Sequence, residues 1–268
     1  MKIAIYSDLH LEMFPFTDES LKCNADVLVL AGDIIACIHH DETMFETLKH
    51  LVSEWKDRPI IYVLGNHEYY SSLKNDMNSV VKTFEEYTDK NIPNMTVLEN
   101  STKVIDDVIF YGGTGWTDFN KGNYINMQEA QLRMNDFRMI FSEDQKKITP
   151  FDLKKMHDVF MKSLKKFNND SKYNHLKRVL IMHHSPEFFQ EGSRYVWNKI
   201  TSAFSCTDFT ENHVNNLKMI IHGHDHDHNR KNELWGCPIY TNQRGYSISG
   251  HDKYECEGFN KNGLIINV

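Results

Sequence analysis

Short apolar runs rich in Ile and Val recur along the chain, and each gives way to polar residues. The runs 2–8, 26–33, 59–66, 108–115, 178–184, 218–224, 238–243 and 263–268 all have this form. They are apolar at nearly every position rather than every second one, which predicts strands buried on both faces. Between the early runs the period changes. Met44, Leu48, Leu51 and Trp55 fall on one face of a helix over 42–55. A second helix is expected within 73–89. A third starts behind Thr149 as N-cap, with Pro150 at its first position and Asp152 facing the positive end of its dipole. Met156, Phe160, Leu164 and Phe167 form its apolar stripe.

The alternation of strand and helix at the start implies an α/β fold with parallel strands covered by helices. The later strands have shorter connections, which leaves room for a second sheet. Segment 116–148 mixes aromatic and polar residues, with a weak helical pattern near 127–134. It lies between strands, as a cap-like insertion over a site would. No internal repeat or Gly/Ser hinge divides the 268 residues, so one domain over 1–268 is expected.

Composition narrows the partners. Hydrophobic residues at 40% and charged residues at 25% are ordinary for a soluble globular chain. A net charge of -7 gives no global pull toward long nucleic acids or anionic membranes. The five cysteines (Cys23, Cys37, Cys206, Cys237 and Cys256) are odd in number and show no C-x-x-C spacing. That pattern fits a reduced intracellular protein, and the cytoplasm is the expected location. The N-terminal apolar run is cut by Asp8 and is too short for a signal sequence. No apolar stretch approaches the length of a membrane span.

The informative pattern is what ends the strands. The first run ends in Asp8-Leu9-His10, the second in Gly32-Asp33 and the third in Gly65-Asn66-His67-Glu68. Later runs end in His183-His184 and in His222-Gly223-His224-Asp225-His226. Ligands of open α/β sheets bind outside the carboxyl ends of the strands. Carboxylate and amide oxygens mixed with imidazole suit Mn(II), Fe, Zn or Ni. Asp8, His10, Asp33, Asn66 and three later histidines exceed what one tetrahedral ion needs, which implies two ions sharing a bridging group. Paired ions about 3.5–4 Å apart clamp a phosphate and lower the pKa of a shared water, whose hydroxide attacks phosphorus in line.

The ordered set D-x-H, G-D, G-N-H-E, H and G-H-x-H resembles the calcineurin-like metallophosphoesterase superfamily. Each element alone is common, but all five in order are specific, and they run from Asp8 to His226. The resemblance implies a β-sandwich of two mixed sheets flanked by helices, with a dinuclear site at the C-terminal rim of the strands. It implies that Asp8, His10 and His226 hold one metal. Asn66, His224 and one of His183 or His184 hold the second, and Asp33 bridges. His183 is favoured because it directly continues an apolar run, which leaves His184 on the substrate side. Asn66 and Arg244 are further substrate contacts. His67 acts on the phosphate or protonates the leaving oxygen, with Glu68 orienting it. Two divalent ions are the expected cofactors, Mn first.

The expected activity is hydrolysis of a small or medium phosphodiester or phosphomonoester, nucleotide-like substrates included. A nucleic-acid nuclease with the same motifs is the alternative, disfavoured by the acidic balance. A scaffold that has lost catalysis ranks lower, because every ligand type and His67 are present. Protein phosphatases resemble different first and second motifs.

Blander readings hold for other residues. His39, His40 and Cys37 belong to a loop or its packing. His157 is structural, His50 and His175 are surface residues, and His213 is undecided. Arg244 could equally form a surface salt bridge, and Arg133 and Arg138 are weaker candidates. Trp116, Phe119, Tyr124 and Phe137 are expected to pack the insertion rather than stack a base. His222 is expected behind the site or in packing, and His228 in solvent.

Overall fold

Eleven strands form among the described residues because their apolar runs can be buried on both faces only inside a layered sheet. In chain order they are β1 (Lys2–Tyr6), β2 (Val27–Ala31), β3 (Ile60–Val63), β4 (Met95–Val97), β5 (Ser101–Ile105), β6 (Val108–Gly113), β7 (Lys177–Met182), β8 (Leu217–Ile221), β9 (Glu233–Leu234), β10 (Cys237–Tyr240) and β11 (Leu264–Asn267). The computed structural model describes residues 1–13, 20–36, 42–186, 199–227, 232–246 and 254–268. One sheet has the order β11-β1-β2-β3-β4, the other β5-β6-β7-β8-β10-β9. Both are mixed. β1 to β4 pair in parallel and β11 lies antiparallel to β1. β6, β7, β8 and β10 are parallel, with β5 and β9 antiparallel at the two edges.

Alternation along each strand separates the layers. Ile3, Ile5, Val29 and Val63 of the first sheet meet Phe110, Val179, Ile181 and Ile221 of the second. The opposite face of the first sheet, including Tyr6, Leu28, Leu30 and Tyr62, packs on Met44 and Leu48 of helix α1 (Glu42–Leu51) and on Val80 and Phe84 of α2 (Met77–Asn91). Between β6 and the next long helix lie α3 (Phe119–Gly122), α4 (Tyr124–Arg133) and α5 (Asp136–Met139). That helix, α6 (Pro150–Asn168), covers the outer face of the second sheet with Phe160, Met161, Leu164 and Phe167. A short α7 (Glu211–Val214) precedes β8. The result is a two-sheet α/β sandwich with helices on both outer faces.

Local differences from the pattern have physical causes. The helix expected over 42–55 ends at Leu51, and Trp55 lies in a 3-10 turn over Ser53–Trp55. The tighter turn aims the buried indole so that its Nε1–H donates to the Leu21 carbonyl at 2.9 Å. The second helix starts at Met77, behind Asp76, whose carboxylate accepts from Ser79 N–H. On α6, Leu153 and His157 are buried and Met156 only half so, which shifts the stripe by part of a turn. β5 carried no apolar signal because it is an edge strand with four exposed residues.

Candidate metal centre

The loops after β1, β2, β3, β7, β8 and β10 meet at one rim. Backbone bonds lock them together: Asp8 N–H donates to Gly32 O, His10 N–H to Asp33 O, Gly223 N–H to His183 O and Gly245 N–H to Asp8 O. The chain must turn sharply to leave each strand and still aim its next side chain at the rim. Asp8, His10, Asp33, His224 and His226 accordingly all have positive φ, from 45° to 80°. Left-handed backbone at non-glycine residues stores on the order of 1 kcal/mol or more each, and it collects at functional sites. Close approach explains two motif glycines. A Cβ at Gly65 would overlap Asp33 Oδ1, and one at Gly223 would sit 2.5 Å from Asp8 Oδ2.

Three sets of donor atoms lie within 4.8 Å of one another: Asp8, His10 and His226; His10, Asp33 and His67; and Asp33, His183 and His224. The sets share His10 and Asp33, so they form one extended cluster. His10 Nε2 is 3.0 Å from His226 Nε2, and His226 Nε2 is 3.3 Å from Asp8 Oδ1. Asp33 Oδ2 is 3.3 Å from His183 Nε2, 3.9 Å from His10 Nε2 and 4.0 Å from His67 Nε2. Asp33 is thus the carboxylate common to two of the three sets. Asn66 Oδ1 approaches His183 Nε2 at 3.2 Å.

Outer partners fix these orientations. His183 Nδ1–H donates to the Ala31 carbonyl at 2.9 Å, which leaves Nε2 facing Asp33 and Asn66. His226 Nδ1 contacts Glu255 Oε2 at 2.6 Å. The Asn66 amide nitrogen donates to Asp136 Oδ1 at 2.8 Å and to Tyr70 Oη at 3.2 Å. Segment 116–148 therefore reaches the site through Asp136. Trp116, Phe119 and Phe137 pack into the same core as Tyr6, Trp116 against Tyr69, and Tyr124 is exposed.

Glu68 does not orient His67. Its carboxylate accepts backbone N–H from Asp33, Ile34, Ile35 and Gly65 and the hydroxyl of Tyr62, holding the turn after β2 against the turn after β3. Burial pushes its pKa up to about 7. The carboxylate on His67 is Glu12, whose Oε1 lies 3.0 Å from His67 Nδ1. Burial would raise Glu12, but its bonds to His10 and His67 outweigh that and lower it to about 2. Glu12 was legible in principle, because Asp8, His10 and Glu12 alternate. Tyr246, with Oη 3.3 Å from His67 Nε2, and Glu255 carried no such pattern.

His183, not His184, supplies the donor atom to the cluster. His184 is buried, with its ring 4.0 Å from that of His224 and 5.2 Å from Trp116. His222 is buried, with Nδ1 3.1 Å from the Gly223 carbonyl, and belongs to none of the three donor sets. Arg244 is not a surface salt bridge: it is buried and Nη1 donates to Leu9 O at 2.9 Å. Arg133 and Arg138 are exposed, as is His50. His175 is also exposed, and His213 is half-buried beside Thr210. Cys37, His39, His40 and His228 lie outside the described residues.

The donor set fits divalent ions. Both ring nitrogens of His224 are buried with no hydrogen-bond partner, as is Nδ1 of His184. Burial and the neighbouring histidines hold His224 and His184 well below the usual imidazole range, so their lone pairs are free. Burial would also lower His183 and His226, yet Asp33 and Asp8 raise them, to about 9 and about 10. A field that holds protons this firmly favours a cation equally. Two of the three donor sets are fully buried, and the set with His67 is the more open.

The whole chain has known relatives. An uncharacterized protein of Acanthamoeba polyphaga mimivirus, L509, is 27% identical over 275 residues, covering 92% of each chain. The crystal structure of the phosphopantetheinyl hydrolase PptH from Mycobacterium tuberculosis superposes with a TM-score of 0.67 at 17% identity, over 91% of this chain and 89% of that one, which shows a shared fold. Among the described residues no helix is long and apolar enough to cross a membrane. The family model of calcineurin-like phosphoesterases matches residues 1–228. That match takes in every strand end from Asp8 to His226, and the chain belongs to this dimetal-dependent family of phosphoester hydrolases.

Proposed function

We propose that this hydrolase cleaves a small or medium phosphodiester or phosphomonoester, nucleotide-like substrates included, at the rim between the two sheets. Asp8, His10 and His226 are proposed to hold one divalent ion. Asn66, His183 and His224 hold the second, and Asp33 serves both. The observation that carries this reading is the run of three donor sets linked through His10 and Asp33, with Asn66 Oδ1 on His183 Nε2 and His67 in the more open set. When bound, the ion pair supplies Lewis acidity to the phosphoryl oxygens and acidifies a water. Mn(II) is the first candidate, with Fe, Zn or Ni compatible with the same N/O set.

The chain's own groups do the rest. The incoming oxygen bonds to phosphorus as the P–O bond to the leaving group breaks. The electron pair stays with the leaving oxygen, which takes the proton of His67 Nε2. His184, with its ring 4.0 Å from that of His224, and Arg244, entering from the loop after β10, are proposed on the substrate side with Asn66. Residues 1–268 are read as one domain with 116–148 as an insertion, supported by the core shared between Trp116 and Tyr6. The free thiols Cys23, Cys206 and Cys237 support a reducing compartment, the cytoplasm.

Hydrolysis of bis(p-nitrophenyl) phosphate and p-nitrophenyl phosphate with Mn, Fe, Zn or Ni, followed by a panel of cyclic nucleotides, tests the reading. Asp33→Ala and Asn66→Ala should each abolish turnover. Retained activity in either variant would sink the two-ion assignment.

A further inference from the structure

One carboxylate oxygen touches two histidines with different tasks. Glu12 Oε1 lies 3.3 Å from His10 Nδ1 and 3.0 Å from His67 Nδ1. Its other oxygen accepts the Ala36 N–H at 3.0 Å, so the carboxylate is anchored to the loop after β2. The two imidazoles meet edge to face with centroids 4.4 Å apart. An ionised carboxylate only accepts, so both Nδ1 atoms are donors here. Both Nε2 atoms then turn away from Glu12. His10 Nε2 faces His226 and Asp33. His67 Nε2 faces the Tyr246 hydroxyl at 3.3 Å, on the more open side of the cluster.

We propose that Glu12 is a positioning residue that fixes the tautomer of His10 and the ring orientation of the doubly protonated His67 together, an inference that rests on the function proposed above. A neutral imidazole without an acceptor at Nδ1 samples both tautomers and both ring flips. His10 would then lose the lone pair that faces the cluster, and His67 would lose the aim of its acidic nitrogen. Glu12 thus ties metal retention to leaving-group protonation through a single oxygen. Outer partners of ligating histidines are worth about 10- to 100-fold in metal affinity. A general acid is worth on the order of 100- to 10,000-fold, felt most with poor leaving groups.

Glu12→Ala and Glu12→Gln, beside wild type and His67→Ala, separate the alternatives. The first readout is Mn(II) affinity by calorimetry, with no substrate present. The second is the dependence of kcat on leaving-group pKa across aryl phosphodiesters. The third is the histidine tautomer state by nitrogen-15 NMR. Glu12→Ala should lose about 10- to 100-fold in Mn(II) affinity, steepen the leaving-group dependence to that of His67→Ala, and leave His10 in mixed tautomers. Glu12→Gln, which keeps an acceptor oxygen, should rescue the His10 tautomer and part of both losses. In Glu12→Ala/His67→Ala the leaving-group dependence should equal that of His67→Ala alone. Unchanged Mn(II) affinity with an unchanged leaving-group slope overturns the proposal. So does a uniform fall in kcat and stability that leaves the slope alone. Should Glu12→Ala not fold, Glu12→Gln decides by the same slope and NMR criteria. A wild type that hydrolyses no phosphoester overturns the proposed function, whereas an active wild type with a Glu12→Ala slope matching its own overturns only the role of Glu12.

Discussion

Asp136 Oδ1 accepts the amide hydrogen of Asn66 at 2.8 Å and so turns Asn66 Oδ1 toward His183. An Asn side chain presents oxygen or nitrogen to a site depending on which end is held, and only the oxygen ligates a cation. Asp136 also accepts the Tyr70 hydroxyl at 2.7 Å, which fixes the carboxylate in turn. Asp136→Ala should free the amide to flip. Mn(II) affinity should fall by about 10- to 100-fold. Calorimetry checks this, and affinity equal to wild type would remove Asp136 from the site's support.

Glu68 gives a different outcome from the one its place beside His67 suggests. Its two oxygens serve five donors, four of them backbone N–H groups in the turns after β2 and β3. Glu68→Gln puts an NH2 against some of those donors and leaves buried N–H groups unpaired. Destabilisation of about 2–4 kcal/mol is expected, from losing bonds to a charged acceptor and burying unsatisfied groups. Denaturant unfolding measures it. A variant as stable as wild type but slower in turnover would instead return Glu68 to the role of orienting His67.

These two residues show what the sequence makes legible. Asp8, Asp33, Asn66, His183, His224 and His226 could be read because each follows an apolar run that predicts a buried strand, and strand ends converge by topology. The apolar runs implied parallel strands covered by helices, and the two-sheet sandwich came from the family resemblance of the motifs. Asp136 was not legible, since it sits in a segment with no clear period, and its partner is 70 residues away. Glu68, which the resemblance set to orient His67, spends both oxygens on the turns after β2 and β3 and on Tyr62. The short 3-10 helix over His67–Tyr69 turns successive side chains apart, Glu68 into the core and His67 to the rim. β5, nearly all exposed, had no buried face to leave a pattern.

His157 supplies a pH test away from the metal cluster. It is buried on α6, with Nδ1 2.8 Å from the Gly115 carbonyl and Nε2 3.0 Å from Asp208 Oδ1. Asp118 and Cys206 face it from the neighbouring loops. Burial lowers its pKa, but the bond to Asp208 and that residue's charge outweigh burial and raise it above 6.5. Asp208 is lowered in return, chiefly by His157 against the opposing effect of burial. A histidine whose folded pKa is raised adds stability that is complete below its unfolded pKa and is lost as pH rises through the folded value. A carboxylate whose folded pKa is depressed adds stability above its unfolded pKa, lost as pH falls through the folded one. The pair therefore stabilises most between the unfolded carboxylate value and the raised histidine value. Asp208→Asn removes the charge and keeps the shape. Its unfolding free energy should fall below wild type clearly at about pH 6 and much less at an alkaline pH above the raised value of His157, where the imidazole is neutral. Urea unfolding at the two pH values reads the difference. An equal deficit at both would mean that the pair is a neutral hydrogen bond and that His157 carries no charge in the fold.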